Sequence, residues 1–416
     1  MNLDNAQAIL QSAIGVVTPA AQLVVRVRGD VVCSEAFGWL DPETRAHPTQ
    51  RDTLFDMASV SKLFTVTAFM TLVEEGRVAL DTPVGAVLPE FSGLRPIQPY
   101  EDPLNPGGMV AVSENGGFVD AGRVTFHDLL THTSGLPAWR PLYREPSAEV
   151  ARQIALDTFF SYPTGTQVVY SDVGLILLGM AIERLTGQSL DAVVRNRVTA
   201  PLELQNTCYL PVKSNEKRVK SNEATVSDRI LPLTDNSLPI SDYSLLISNP
   251  QSLSIAPTEF CAWRNRRIAG AVHDENAYRL GGVAGHAGVF STAEDIAAFG
   301  QVFLDRPTGQ RRGFPLLLSS TVNAMTHCYT GEIGTRRGLG FALWLDDPEA
   351  SSNPFSQSAF GHTGFTGTCL WMDPERDLVV ALLTNEVYNG RQNRGIAGLR
   401  VAVHQAIVVA IDAGAT

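Results

Sequence analysis

The sequence predicts an α+β fold: an antiparallel sheet built from both ends of the chain and flanked by terminal helices, with a mainly helical region between. Short, largely apolar runs at 21–27 and 31–37 indicate two strands near the start. Similar runs recur near the end, at 341–345, 360–372 and 378–384. Helical spacing dominates the part between, and 416 residues suffice for two lobes or one domain with an insertion.

Local signals define the elements of the first quarter. Apolar residues at helical spacing predict a helix over residues 3–14. Arg28-Gly29-Asp30 joins the first two strands as a hairpin. A longer helix is expected over residues 59–75, with Gly76 at its end. Residues 95–123 are rich in Pro, Gly and Asn and predict a long loop or flap.

The later elements are mainly helical. Helical patterns recur at 125–131, 148–159 and 172–186, while residues 211–255 carry no clear pattern. Ser291-Thr292-Ala293-Glu294 indicates a capping box that opens a helix through Leu304. A closing helix is predicted over residues 394–411.

Composition argues against several partners and sites. The formal net charge is −11, whereas a phosphate backbone needs clustered Lys and Arg, so we expect no nucleic-acid partner. Five cysteines at wide spacing, without a C-x-x-C, indicate neither a disulfide framework nor a zinc site. The longest apolar stretch, residues 173–182, is about half of the roughly 20 residues that cross a membrane, so we expect no membrane partner.

The N-terminal residues bear on location. Met1-Asn2-Leu3-Asp4-Asn5 lacks the basic and apolar parts of a signal peptide. We therefore expect a cytoplasmic protein, or a periplasmic or secreted one if the natural chain begins earlier. The sequence carries no signal for an oligomeric state.

The first motif with chemical potential is Ser59-Val60-Ser61-Lys62, at the start of a predicted helix. Three residues make nearly one helical turn, so Ser59 and Lys62 share a face. A serine hydroxyl needs a neighbouring base to become a nucleophile, and burial lowers the pKa of a lysine toward that role. An N-cap serine beside a solvated lysine is the alternative that this motif alone leaves open.

The second motif is Tyr170-Ser171-Asp172, which precedes a strongly apolar helix. A phenol relays a proton when a nearby ammonium stabilises its phenolate. The alternative is a tyrosine at a helix start, with Asp172 as the N-cap residue.

The third motif is His362-Thr363-Gly364, on a predicted strand. Gly364 would let a substrate approach the strand backbone closely. The N–H groups of Phe365 and Ser59 are then candidates for an oxyanion hole. The alternative is a strand histidine that hydrogen-bonds a backbone carbonyl.

These three motifs in this order resemble those of serine β-lactamases and penicillin-binding proteins. The most similar group is the class C β-lactamase-related one, which includes DD-peptidases, D-amino-acid-specific peptidases and family VIII carboxylesterases. Residues 54–58, 129–136 and 361–370 fit it as well, and the resemblance covers residues 20 to 390. It implies a β-lactamase-like fold with residues 1–58 and 286–416 as the sheet region, 59–285 as the mainly helical region, and the active site at their seam.

The resemblance also implies roles. Ser59 attacks the substrate carbonyl, Lys62 helps to remove its proton, and Tyr170 acts as general base and later as acid to the leaving group. The N–H groups of Ser59 and Phe365 form the oxyanion hole, and the acyl-enzyme is then hydrolysed. Neither a metal nor a cofactor is implied, and the expected substrate is a small ester, amide or peptide.

Two residues depart from the usual motifs. Asp172 stands where Asn is usual, and a carboxylate near Lys62 raises the pKa of the lysine, which favours an electrostatic role for it. His362 stands where Lys is usual, and a largely neutral histidine suits a substrate carboxylate less well. We therefore rank a small-ester or peptide hydrolase above an efficient β-lactamase.

A second cluster comprises His273-Asp274 and the glycine-rich stretch 281–288, which contains His286. Glycine at this density indicates backbone that is tightly packed or close to a ligand. We predict that His273 and His286 line the substrate pocket together with Asp172, His362, Thr363 and Gly364. Loop residues with Asp274 as an N-cap are the alternative.

Two rival functions follow from the same motifs. A cell-wall DD-carboxypeptidase or penicillin-binding protein, or a true β-lactamase, keeps the chemistry and changes the substrate. A catalytically silent binding protein keeps only the fold.

Overall fold

The computed structural model describes residues 2–105, 107–113, 115–210, 254–304, 316–392 and 394–414. The strands are β1 (Ala20–Val27), β2 (Asp30–Gly38), β3 (Phe55–Asp56), β4 (Leu94–Pro96), β5 (Tyr100–Glu101), β6 (Met109–Val110), β7 (Phe118–Asp120), β8 (Cys208–Tyr209), β9 (Phe260–Cys261), β10 (Arg266–Arg267), β11 (Val289–Ser291), β12 (Ala342–Leu343), β13 (Phe360–Thr363), β14 (Cys369–Asp373) and β15 (Leu378–Thr384). The α-helices are α1 (Asp4–Ala13), α2 (Ser61–Glu74), α3 (Val84–Val87), α4 (Phe126–Leu130), α5 (Ala148–Leu156), α6 (Asp172–Thr186), α7 (Leu190–Val194), α8 (Glu275–Arg279), α9 (Ala293–Gln301), α10 (Ser319–Thr326) and α11 (Ile396–Gly414).

The largest sheet joins the two ends of the chain. Its six strands run in the order β12-β13-β14-β15-β1-β2, with every neighbouring pair antiparallel. β1 and β15 pair at the centre, with Val24 opposite Ala381. The predicted α+β class and the antiparallel sheet built from both chain ends are confirmed.

Both faces of this sheet are covered. Leu23 and Leu382 face a core that contains residues of α1 and α11. Val24 and Ala381, one residue along, belong to a second core that includes α9 and α2. Successive side chains of a strand point to opposite faces of the sheet, so neighbouring residues contribute to different cores. β15 is therefore apolar along residues 378–383, because both of its faces are covered.

Helix α11 is apolar and long enough, by length and composition, to cross a membrane. Val403 and Ile407 are buried in the core that it shares with α1 and the sheet. A core helix of a soluble protein meets the same criterion, so this helix is weak evidence for a span. Helix α6 and the segment Leu190–Thr199 are long and apolar enough to cross a membrane only when taken together, and the two are bent by 78° relative to each other.

Several sequence expectations need correction. Residues 95–123 are not a plain loop, because β4 pairs with β7 and β5 pairs with β6 within this stretch. The predicted strand 360–372 is two strands, β13 and β14, because Gly364 and Thr368 close a turn between them through a 2.7 Å backbone hydrogen bond. The N-cap of α9 is Thr292, whose hydroxyl accepts from Asp295 N–H, rather than Ser291. Residues 211–253, within the stretch that carried no pattern, lie outside the described residues.

Candidate active site

Ser59 lies in a 3-10 turn, Ala58–Val60, that leads directly into α2. Ala58 has φ 44°, a left-handed conformation that a residue with a side chain rarely adopts. The buried Asp56 carboxylate supports the turn: one oxygen accepts from Ala58 N–H at 2.8 Å and the other from His273 N–H at 2.6 Å. These contacts hold the strained turn in place and set the position of Ser59.

Lys62 lies one helical turn beyond Ser59, as its spacing predicts. Its ammonium donates to Ser59 Oγ at 2.8 Å and to the main-chain oxygen of His286 at 3.1 Å. Asp172 Oδ1 lies 2.8 Å away, and the lysine side chain is only 1% exposed. The alternative of a solvated lysine beside an N-cap serine is therefore excluded.

The charge of Lys62 follows from these neighbours. Burial acts to lower its pKa, but the Asp172 carboxylate and Tyr170 outweigh burial and raise the pKa above its usual value. Lys62 is therefore an ammonium in the resting site. This direction agrees with the expectation that the Asp172 carboxylate keeps the lysine charged, rather than with a lysine that burial makes a free base.

Tyr170 lies beside this ammonium, with Lys62 Nζ 4.8 Å from the centroid of its ring. His132 Nδ1 accepts from Ser171 N–H at 3.1 Å, and its ring lies 4.7 Å from the Tyr170 ring. The Tyr170 hydroxyl is buried and has no hydrogen-bond partner of good geometry among the described residues. Burial raises the pKa of Tyr170 and Lys62 lowers it, with a net rise, so the resting phenol is protonated.

Ser171, not Asp172, caps helix α6. The Ser171 hydroxyl accepts from Gly174 N–H and donates to the Pro137 carbonyl at 2.7 Å. Asp172 is the first residue of the helix, and its N–H donates to Ala138 O. Its carboxylate is thereby free to face Lys62, and the N-cap alternative for Asp172 is wrong.

The third motif lies on β13, next to the nucleophile turn. A Cβ on Gly364 would lie 2.6 Å from Met57 O and 3.4 Å from Ala58 Cβ. Glycine is thus required by the approach of the 57–58 turn, and the approach of a substrate to Gly364 stays a prediction. Neither Phe365 N–H nor Ser59 N–H donates to any other residue in the part of the chain that the structure describes. Two main-chain donors therefore remain available for an oxygen atom.

His362 is buried beside Tyr170, with ring centroids 5.8 Å apart. Its Nδ1 hydrogen-bonds Thr363 O at 2.7 Å, and because a carbonyl only accepts, Nδ1 carries the proton. Burial first, and then the Lys62 charge, lower the pKa of His362 to about 3. His362 is a neutral imidazole, and its Nε2 has no partner among the described residues.

The second cluster, which contains His273, Asp274 and His286, lies next to the site, since the main-chain oxygen of His286 accepts from Lys62. His273 bonds Glu259 at 2.9 Å and stacks on the Phe365 ring, with centroids 5.7 Å apart. His286 bonds Asp274 at 2.9 Å, and Asp274 also caps α8. His273 and His286 are 4% and 1% exposed, and both rings are committed to carboxylates.

Three potential metal ligands meet at the edge of this cluster. Among the described residues, side-chain ligand atoms of Asp172, Asp274 and His286 lie within 4.8 Å of one another. The Lys62 ammonium already neutralises Asp172, and Asp274 is bonded to His286. We assign no metal to this group.

Arg337 is a site residue that sequence reasoning missed. It lies just before β12, and its guanidinium carbon is 5.3 Å from the centroid of the Tyr170 ring. No motif contains it, because the link to Tyr170 exists only in three dimensions.

Comparisons with known proteins identify the family of this chain. A model of the beta-lactamase family matches residues 7–405. N-acetylmuramyl-L-alanine amidase of Bacillus subtilis (strain 168) is 30% identical over 393 residues, which cover 88% of this chain and 77% of that protein. A putative D-alanyl-D-alanine carboxypeptidase of Escherichia coli (strain K12) is 28% identical over 364 residues, 81% of this chain and 70% of that one.

Solved structures support the fold. EstCE1, a hydrolase with promiscuous acyltransferase activity, aligns with a TM-score of 0.65 and 20% identity over 96% of this chain and 98% of its own. A penicillin-binding protein homologue from Caulobacter crescentus aligns with a TM-score of 0.64 and 18% identity, over 98% and 97% of the two chains. The family match spans nearly the whole chain, so this protein belongs to the beta-lactamase family and is a serine hydrolase.

Proposed function

We propose that the protein cleaves an ester or amide bond through an acyl-Ser59 intermediate. The observation that carries this proposal is the contact of Ser59 Oγ with the Lys62 ammonium at 2.8 Å, beside the buried hydroxyl of Tyr170. A serine nucleophile needs a neighbouring base, and an ammonium that stabilises a phenolate can provide one here.

The proton path follows from the charges. Lys62 is an ammonium and cannot accept a proton, so it orients Ser59 and stabilises negative charge on Tyr170. The resting phenol of Tyr170 first releases its proton to solvent. The phenolate then takes the hydroxyl proton as Ser59 attacks the carbonyl carbon, and the re-formed phenol gives that proton to the leaving group. Water repeats the two steps on the acyl-enzyme and releases the acid.

The oxygen of the tetrahedral intermediate would be held by Ser59 N–H and Phe365 N–H. Their lack of other acceptors in the described part of the chain supports this role. Preorganised main-chain donors stabilise such an oxygen without reorganising during the reaction. Asp56 and His273 would support these donors, since Asp56 binds Ala58 N–H and the His273 ring stacks on Phe365.

For the substrate we propose a small ester or a peptide ahead of a β-lactam. The neutral state of His362 supports this ranking, because the usual cation for a substrate carboxylate is lacking at that position. Hydrolysis of a D-alanyl-D-alanine peptide is the second candidate, favoured by the names of relatives at 28% identity.

Labelling with a fluorophosphonate tests the acyl-serine proposal. We expect the full-length protein to take up the probe and the Ser59→Ala variant to take up none. Ser92→Ala, which removes an exposed hydroxyl, is the matched control and should label normally. Equal labelling of Ser59→Ala would contradict the proposal.

A substrate panel tests the ranking. We expect turnover of p-nitrophenyl acetate and butyrate, with slow or absent hydrolysis of nitrocefin. Rapid nitrocefin turnover would reverse the ranking, and release of D-alanine from an N-acylated D-alanyl-D-alanine peptide would select the second candidate.

A further inference from the structure

The backbone around Arg337 is held firmly. Its N–H donates to Thr330 Oγ1 at 2.8 Å, and its carbonyl accepts from Tyr329 N–H at 3.0 Å. A β-bridge to Ala342 ties it to the edge of the main sheet. The side chain is thereby directed to Tyr170, and its guanidinium carbon lies 5.3 Å from the centre of the ring.

The Arg337 guanidinium lacks a counter-ion within the described part of the chain. No carboxylate in the described ranges forms an ion pair with Arg337, and its buried Nε has no hydrogen-bond partner. The Arg337 side chain is partly buried, and withdrawing a cation from water without a counter-ion is unfavourable, which a neighbouring aromatic ring compensates only in part. A partner charge that arises during the reaction would explain why the cation is kept there.

The charges around Tyr170 identify that partner. Lys62 from α2 is paired with Asp172 of the helix that follows Tyr170, so the two together contribute no net charge. Two imidazoles also face the ring, those of His132 and His362, and burial lowers the pKa of both so that they are neutral. Behind Asp172, the carboxylate of Asp274 is paired with the ring of His286.

A phenolate at Tyr170 would therefore be an uncompensated negative charge without Arg337. The geometry points to Arg337 as the positioning residue that supplies the positive charge which the Lys62–Asp172 ion pair withholds from the Tyr170 phenolate. This inference rests on the proposed function of Tyr170 as base. The proton of Ser59 moves to the phenolate oxygen and then to the leaving group, while Arg337 and Lys62 keep theirs.

The pH profile of kcat/KM for p-nitrophenyl butyrate tests this role. Arg337→Gln should move the rise of activity to higher pH by about 1–3 units, since loss of a nearby opposite charge raises an acid's pKa by that amount. At pH 7 we expect kcat/KM to fall roughly 10- to 100-fold. Arg336→Gln is the matched control, because that guanidinium donates to Trp344 O at 3.2 Å, and its profile should stay unshifted.

A second change provides the rescue. In Arg337→Gln/Asp172→Asn the Lys62 ammonium is no longer neutralised, so the profile should move back toward that of the parent protein. Arg337→Lys keeps a charge and should shift less than Arg337→Gln. An unshifted Arg337→Gln profile, the absence of rescue, or equal shifts for Lys and Gln would overturn the inference.

A charged substrate distinguishes a role of Arg337 at Tyr170 from a role in substrate binding. If Arg337→Gln slowed only a carboxylate-bearing ester such as mono-p-nitrophenyl succinate, and not the butyrate, Arg337 would bind substrate and the inference would fail. If fluorophosphonate did not label Ser59 of the parent protein, the proposed function itself would be contradicted.

Discussion

The ammonium of Lys62 lies 2.8 Å from the carboxylate of Asp172 and 2.8 Å from the hydroxyl of Ser59. The carboxylate raises the pKa of the lysine despite its burial, so the amine stays protonated beside the serine. The base must then be another group, and we assign that role to Tyr170, whose ring lies beside the same ammonium while Asp172 is committed to its ion pair.

Asp172→Asn should shift the activity profile to lower pH. Removing the carboxylate leaves the Lys62 charge uncompensated, which stabilises the Tyr170 phenolate and lowers the pKa of the phenol. Activity depends on the phenolate, so the rise of kcat/KM should begin about 1 pH unit lower. The measurement is kcat/KM between pH 5 and pH 10, with exposed Asp30→Asn as control. A shift to higher pH would contradict the charge argument.

Tyr170→Phe should lower kcat for p-nitrophenyl butyrate by about 10²–10⁴-fold, the usual contribution of a general base. The ring and its contacts with His132 remain, so the melting temperature should change little. The measurement is steady-state kcat for p-nitrophenyl butyrate, with Tyr143→Phe as the matched control. Near-normal kcat in Tyr170→Phe would remove Tyr170 from the base role.

The buried histidines should make stability fall in mild acid. In the folded state the pKa of His362 is about 3, while an unfolded histidine titrates near 6.5. The unfolded chain therefore binds more protons between these values, and stability is present above about pH 6.5 and lost as pH falls from there toward 3. We expect a slope of about 1.4 kcal/mol per pH unit from this group, and a smaller total slope in His362→Gln. The free energy of unfolding is measured with urea at pH 7 and pH 5. An equal change with pH in the parent protein and in His362→Gln would contradict the prediction.

Gly364→Ala should impair both activity and folding stability. The added Cβ would lie 2.2 Å from Thr368 Oγ1 and 2.6 Å from Met57 O, and the latter is backbone of the nucleophile turn. The strand end must move away, which separates Phe365 N–H from Ser59 N–H. We expect a lower melting temperature and a large loss of kcat. The control is Gly398→Ala in α11, where a Cβ meets no atom within 4 Å; if both variants behaved alike, the packing argument would fail.

The reactive residues were predictable because their signals are local. Ser59 and Lys62 are one helical turn apart, and that spacing alone places them on one face. Helix α6 begins and ends at the predicted residues, since an apolar stretch between Ser171 and Gly187 has few alternatives. The strands of the main sheet were also predicted, except that residues 360–372 were read as one strand. The turn at residues 364–368 was missed, and the chain reverses there so that β13 pairs with β14.

What the sequence alone determined about this protein is therefore its fold class, its family resemblance and the residues around Ser59, because periodicity and short motifs are encoded within a few neighbouring positions. The sequence raised the charge states of Lys62 and His362 as expectations, and only the tertiary structure decided them and their partners. The pairing of Lys62 with Asp172, the neutral state of His362 and the position of Arg337 over Tyr170 arise from burial and from contacts between residues far apart along the chain. Such contacts leave no local pattern, and they set the chemistry of the site.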